Sequence, residues 1–156
     1  MKTLMFAFAA ASALPLLSVA SAQATAAIDL ETVQPIGGAW GYRMIDGGSE
    51  ADFVDAAATV RLQLRCNRAA RTVSIVRPGV PAAAPTLAIW TTSLSRSVPA
   101  RYLPTKDLVA DLASTDALLD AIAFSRGRVA TAASGAPMVA VASGPETTRV
   151  IEDCRS

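Results

Sequence analysis

Two cysteines, Cys66 in mid-chain and Cys154 near its end, constrain this sequence more than any other feature. Their effect depends on where the chain folds, and the first residues address that. Met1-Lys2 is a short positive start, Leu4–Val19 is an apolar run interrupted by Pro15, and Ala20-Ser21-Ala22 supplies the small residues that signal peptidase requires. Residues 1–22 therefore read as a secretory signal peptide cut between Ala22 and Gln23, with Ala22-Gln23-Ala24 as a second acceptable site. The apolar run of about 16 residues is shorter than the roughly 20 a membrane span needs, and no later run is long enough. An even pair of cysteines in an exported chain reads as one disulfide. It would close a loop of about 88 residues and contribute roughly 4–5 kcal/mol by loop-closure entropy. There is no Cys-x-x-Cys spacing, so the pair reads as a structural tie and not a redox centre.

The elements around the cysteines alternate with the period of a sheet. In Thr59–Cys66, Val60, Leu62, Leu64 and Cys66 share one face, and Thr59, Arg61, Gln63 and Arg65 share the other. Arg71–Arg77 returns as its partner after a turn at Asn67–Ala70. Upstream, Ala39–Ile45 alternates around Trp40, Tyr42 and Met44, turns at Asp46-Gly47-Gly48, and extends again over Glu50–Val54, which is a hairpin pattern. Thr86–Thr92 is a further strand and Asp107–Leu112 alternates like one. Residues 23–36 show no periodicity and read as an N-terminal tail or linker, with a single mainly-β domain over 37–156.

The period becomes helical from Thr115, where Leu118, Leu119 and Ile122 share a face. Ser114 or Thr115 is placed to cap that helix, and Arg126-Gly127 stops it. Arg128–Ala133 and Met138–Ala142 read as two strands joined at Ser134-Gly135. Ser143-Gly144-Pro145-Glu146 matches a capping box, opening a terminal helix with Val150, Ile151 and Cys154 on one stripe. The fold class is α+β, mainly β: an antiparallel sheet or small β-sandwich with one internal and one C-terminal helix, closed by the Cys66–Cys154 disulfide.

Composition narrows the function. The chain of 156 residues has no histidine, which excludes Ser-His-Asp and Cys-His catalysis, His-ligated zinc and an imidazole pH switch. No nucleotide-binding glycine motif and no metal-ligand cluster is visible, so no cofactor or metal is expected. Without the leader, whose one charge is Lys2, the chain is electrically neutral, so a nucleic-acid partner is not expected.

That neutrality is patterned along the chain. Residues 29–55 carry net −5, 56–106 net +8 with no acid at all, 107–120 net −4, and 121–156 net +1. One reading of the acid-free segment is an anion-binding strand pair of Arg61, Arg65, Arg68, Arg71 and Arg77, because guanidinium forks suit carboxylate and phosphate. The competing reading pairs these arginines with the flanking acidic segments across strands. Trp40, Tyr42, Trp90 and Tyr102 are candidates for an aromatic ligand face or for core filling. Ser125-Arg126-Gly127-Arg128 is a candidate recognition loop or simply the helix stop. Lys106 is the one lysine beyond the leader, and the Asp116/Asp120 and Glu152/Asp153 pairs read as helix-surface charge.

Leu118-Leu119-Asp120-Ala121-Ile122-Ala123-Phe124-Ser125-Arg126-Gly127-Arg128, followed by Pro145-Glu146 and Arg149-Val150-Ile151-Glu152-Asp153-Cys154-Arg155, resembles small secreted proteins of alphaproteobacteria of the sphingomonad type. Trp40 and the Leu62–Cys66 run extend the resemblance. The order of elements is also similar to periplasmic β-proteins of the invasion-associated locus B type and to a type VI secretion accessory family. The resemblance implies a periplasmic or secreted protein, with no catalytic residues to carry over. The expectation is an envelope accessory or interaction module acting by binding, with another envelope protein as partner. The alternatives are a binder or inhibitor of an anionic ligand through the 56–106 segment, and an unrecognised hydrolase.

Overall fold

The computed structural model describes residues 28–156. The expected signal peptide, its cleavage site and the first part of the expected tail lie outside the described residues.

Asp46-Gly47 turns β1 (Gly38–Ile45) into β2 (Gly48–Asp55), with Ile45 directly opposite Gly48 and Gly47 at a φ of +73°. Its missing side chain is what allows that left-handed backbone. Next come β3 (Val60–Asn67), β4 (Thr72–Arg77) and β5 (Thr86–Trp90). Two strands without a sequence period follow, β6 (Ser95–Pro99) and β7 (Arg101–Tyr102), then β8 (Leu108–Ala113). Helix α1 (Ala117–Ala123), the hairpin of β9 (Arg128–Ala132) and β10 (Val139–Ala142), and helix α2 (Pro145–Asp153) complete the chain.

The strands form two antiparallel sheets, ordered β1-β2-β3-β4-β8-β7 and β10-β9-β5-β6. The chain crosses between them at Ala100, from edge strand β6 to edge strand β7. Pro99 is tolerated there because an edge position leaves its missing N–H without consequence. At the opposite edges the sheets are tied by the Ile36 amide donating to the Ala140 carbonyl (2.8 Å) and the Trp40 indole donating to the Ala142 carbonyl (2.7 Å).

Between the sheets, Leu62, Leu64, Val73 and Ile75 meet Leu87, Ile89, Val129 and Val141, and the apolar faces of both helices join the same core. The space left beside Leu62, Ile89 and Val129 is about 10 Å³, no more than a single water could fill. Cys66 and Cys154 are bonded, with Cα atoms 5.4 Å apart, tying the end of α2 to the core face of β3.

Both helix starts differ in detail from the sequence reading. Asp116, and not Ser114 or Thr115, caps α1, its carboxylate accepting from the Leu118 amide at 2.8 Å. Ser114 is buried and its carbonyl accepts from Arg155 at 2.8 Å. The capping box at Ser143 does not form: Gly144 is the cap residue of α2, without a side-chain bond. A side chain at 144 would begin 2.5 Å from the Trp40 ring, so the close approach of β1 decides the cap.

The stretch 28–36, expected to be tail or linker, lies across the outer face of the smaller sheet. That face is floored by Ala88, Ala130, Ala132 and Ala140 with Trp90, and Leu30 is buried against it. Arg128 Nη1 clamps the strap by donating to the carbonyls of Glu31 and Val33. Alanine at these outward positions, where a solvated sheet face would carry polar side chains, is what the strap covers.

Candidate functional site

The register of the larger sheet explains the charge alternation in the sequence. On its outer face Arg43 stands opposite Glu50, Glu50 opposite Arg65, Arg65 opposite Ser74, and Ser74 opposite Asp111. Arg101 on β7 completes the row by binding Asp111 at 2.9 Å. One row of alternating polar groups thus crosses all six strands. Glu50 is only 1% exposed, covered by Arg43 and by Arg65, whose Nε donates at 2.6 Å. Asp52 accepts from Arg43 at 2.7 Å and from Gln63 at 2.7 Å. Against the push of burial, hydrogen bonds from Arg101 and Ser74 hold the Asp111 carboxyl below its ordinary value.

The five arginines named from the sequence do not form one patch. Arg65 belongs to the charge row. Arg68 and Arg71 sit by the β3–β4 turn next to the chain end. There Arg71 donates to the Arg155 carbonyl (2.9 Å), and Arg68 lies close enough to Asp153 to favour its ionised form. Burial pushes the Asp153 carboxyl up, but the bond from the Tyr42 hydroxyl and the charges of Arg68 and Arg149 help to hold it below its ordinary value. Tyr42 donates to Asp153 at 2.7 Å, and that bond is the main reason its phenol is raised above its ordinary value.

Arg61 and Arg77 come together. They line an open cavity of about 210 Å³ with Thr59, Gly79 and Pro137, at the end of β4 and the turn between β9 and β10. Arg61 pairs with Asp55 at 3.2 Å. The Asp55 carboxyl lies below its ordinary value, chiefly because the Thr59 amide donates to it, with help from the Ala57 amide and Arg61.

A second concavity, of about 710 Å³, runs between the strap and the α1–β9 loop, lined by Leu30, Glu31, Thr92, Phe124, Arg126 and Arg128. Phe124 on its rim is 76% exposed. The loop that carries it is pinned: the Thr92 amide donates to Ser125 Oγ (3.1 Å), the Arg126 amide to Thr92 Oγ1 (3.1 Å), and Ser125 Oγ to the Arg128 carbonyl (2.6 Å). Arg126 is exposed and makes no ion pair among the described residues.

The candidate recognition stretch 125–128 is therefore part of a built surface, but Phe124 was not singled out in the sequence. A signal for it exists. Leu118, Leu119 and Ile122 define the buried face of α1, and Phe124 falls four residues after Asp120, on the solvent side.

The other sequence candidates have structural partners. Trp40 packs edge-on against Phe53 with ring centroids 5.5 Å apart, Trp90 is buried under the strap, and the Tyr102 hydroxyl donates to the Val80 carbonyl at 2.9 Å. These aromatics fill and pin the core and make no common ligand face. Asp116 is held by Arg96 at 2.8 Å and Asp120 by Arg155 at 2.8 Å, and Lys106 is exposed on a turn with a φ of +66°. Among the described residues, no three or more His, Cys, Asp or Glu are grouped to hold a metal ion, and no helix is long and apolar enough to cross a membrane. No family model, no curated protein and no solved structure matches this chain.

Proposed function

We propose that this chain is an exported, non-catalytic binding protein, an accessory or interaction module of the cell envelope that works in the periplasm or after secretion. The contact surface is the groove between the strap and the α1–β9 loop. Export is supported by the signal-peptide pattern of residues 1–22, the disulfide, and the resemblance to small secreted alphaproteobacterial proteins.

The observation that carries the reading is Phe124, exposed on a loop that three hydrogen bonds hold in place. An aromatic ring left in water on a pinned loop pays little ordering entropy when a partner covers it, and aromatic residues and arginine are both enriched at interfaces. Burying the ring is worth about 1.5–3 kcal/mol. Arg126 adds an exposed cation, without an ion pair among the described residues, to the same groove. The occupant that fits is an extended polypeptide segment presenting an apolar side chain next to a carboxylate. The carboxylates Glu50, Asp52, Asp111 and Asp116 are each engaged by arginine, which favours binding over acid–base chemistry.

Selection of displayed random peptides on the immobilised protein tests this. The expected outcome is a consensus pairing an apolar with an acidic residue, whose affinity falls roughly 10- to 150-fold on Phe124→Ser, the range set by losing the ring's burial. No enrichment, or a consensus that binds Phe124→Ser as tightly, would remove the reading.

A further inference from the structure

Arg77 is the last residue of β4 and has the same parity as Val73 and Ile75, so its side chain runs between the two sheets, and it is 4% exposed. Its Nη1 donates to the Arg61 carbonyl (3.4 Å) and the Pro78 carbonyl (3.3 Å), and its Nη2 to the Pro137 carbonyl (3.0 Å). All three acceptors are neutral. Its Nε is buried without any hydrogen-bond partner among the described residues, and no ion pair among them includes Arg77. A buried guanidinium without a counter-charge is unusual, because desolvating a cation is costly unless an anion and further hydrogen bonds compensate it. Burial, and secondarily the charge of Arg61, push its pKa down to about 10, which still leaves it charged at neutral pH.

The cavity beside it has the composition of a subsite for an organic anion. Arg61 is anchored by one nitrogen, Nη1, on Asp55, and Nε and Nη2 have no partner among the described residues. Val60, Pro78, Ala136 and Pro137 give the walls an apolar character, and Thr59 adds a hydroxyl. The formal charges are two arginines and one aspartate, which leaves one positive charge to be compensated.

We propose that this cavity binds a small monocarboxylate, its carboxylate between the Arg61 and Arg77 guanidinium groups and its apolar body against Pro78 and Pro137. One excess positive charge matches a monoanion, whereas a phosphate dianion would place a surplus negative charge beside Asp55. A planar carboxylate also matches the guanidinium fork. The cavity volume of about 210 Å³ admits an acid of a few carbons. This site is separate from the Phe124 groove, and either assignment can fail while the other stands.

The test is titration of the isotope-labelled protein with butyrate, followed by NMR at the backbone amides of residues 59–61, 79–80 and 136 and at the Arg77 Nε–H. Sodium chloride at equal ionic strength and neutral butyramide are the controls. Saturable shifts confined to these signals with butyrate alone are expected. Arg61→Gln, at a side chain one-third exposed, is expected to weaken binding about tenfold or more while the spectrum stays folded, the size of losing one charge-assisted contact. Arg77→Lys is the second variant; it keeps the charge but loses the fork, and is expected to weaken binding as well. The proposal is overturned by shifts that track ionic strength, by unchanged affinity in Arg61→Gln, by equal binding of butyramide, or by tighter binding of inorganic phosphate than of butyrate.

Discussion

Reducing the Cys66–Cys154 bond should lower stability by roughly 4–5 kcal/mol, the loop-closure value for a loop of this size. The bond spans 88 positions and joins the C-terminal end of α2 to the core face of β3, so it closes most of the domain in one loop. Both cysteines are buried, and reduction leaves their sulfurs in place, so a cavity does not confuse the measurement. For a domain of about this size each kcal/mol shifts the melting temperature by roughly 3–4 °C, giving a fall of about 15 °C. Calorimetry with and without a phosphine reductant measures it. Urea titration should show a larger slope after reduction, because the opened chain exposes more surface when it unfolds. Helix α2 keeps Val150 and Ile151 in the core and the Tyr42–Asp153 bond, so a native baseline should survive reduction. A fall under about 5 °C, or two thiols titrating in the untreated protein, would refute the reasoning.

Replacing both Arg43 and Arg65 by Met strands the buried Glu50 carboxylate, which should cost about 3–5 kcal/mol in thermal or urea unfolding; a loss under about 1 kcal/mol would contradict the row of ion pairs. The native protein should lose stability in acid. Its Asp55, Asp111, Asp116 and Asp153 lie below their unfolded values, so their stabilisation is complete above about pH 4 and is lost as pH falls through the folded values. For Asp116 burial pushes the pKa up, but the Arg96 and Leu118 N–H donors more than offset that. Asp116→Asn should keep the cap, cost under about 1 kcal/mol, and make acid melting less steep, and an unchanged acid limb would exclude its share. Leu30→Asp should lift the strap from Trp90, red-shifting its emission and opening it to acrylamide quenching; an unchanged spectrum would mean that the strap does not cover the smaller sheet.

Local periodicity was a good guide where one face of a strand is buried and the other wet. Thr59–Cys66 sorted correctly because Leu62, Leu64 and Cys66 are core and Arg61 and Arg65 are not. Strands β6 and β7 escaped because Ser95–Pro99 carries a single buried apolar residue, Val98, and β7 has two residues, so neither presents a period. The strap escaped for a tertiary reason: nothing local to residues 28–36 shows that an alanine-floored sheet face lies waiting for Leu30. Charge segments were legible as blocks, but their meaning needed register. Only the alignment of Arg43, Glu50, Arg65 and Asp111 in one row shows that Arg65 is committed, while Arg77, of the same block, is turned inward among carbonyls. Phe124 was readable from its position on the solvent side of α1, although its loop's hydrogen bonds to Thr92 span more than thirty positions in the chain.

The central proposal is that the Phe124 groove meets a polypeptide partner. The direct measurement places a photo-reactive phenylalanine analogue at position 124, and separately at Met44, an exposed β1 residue outside the groove. The protein is then irradiated in the intact envelope. One dominant adduct is expected from position 124, abolished by Arg126→Glu and absent from position 44. Position 124 labelling no more than position 44, or an adduct indifferent to Arg126→Glu, would contradict it.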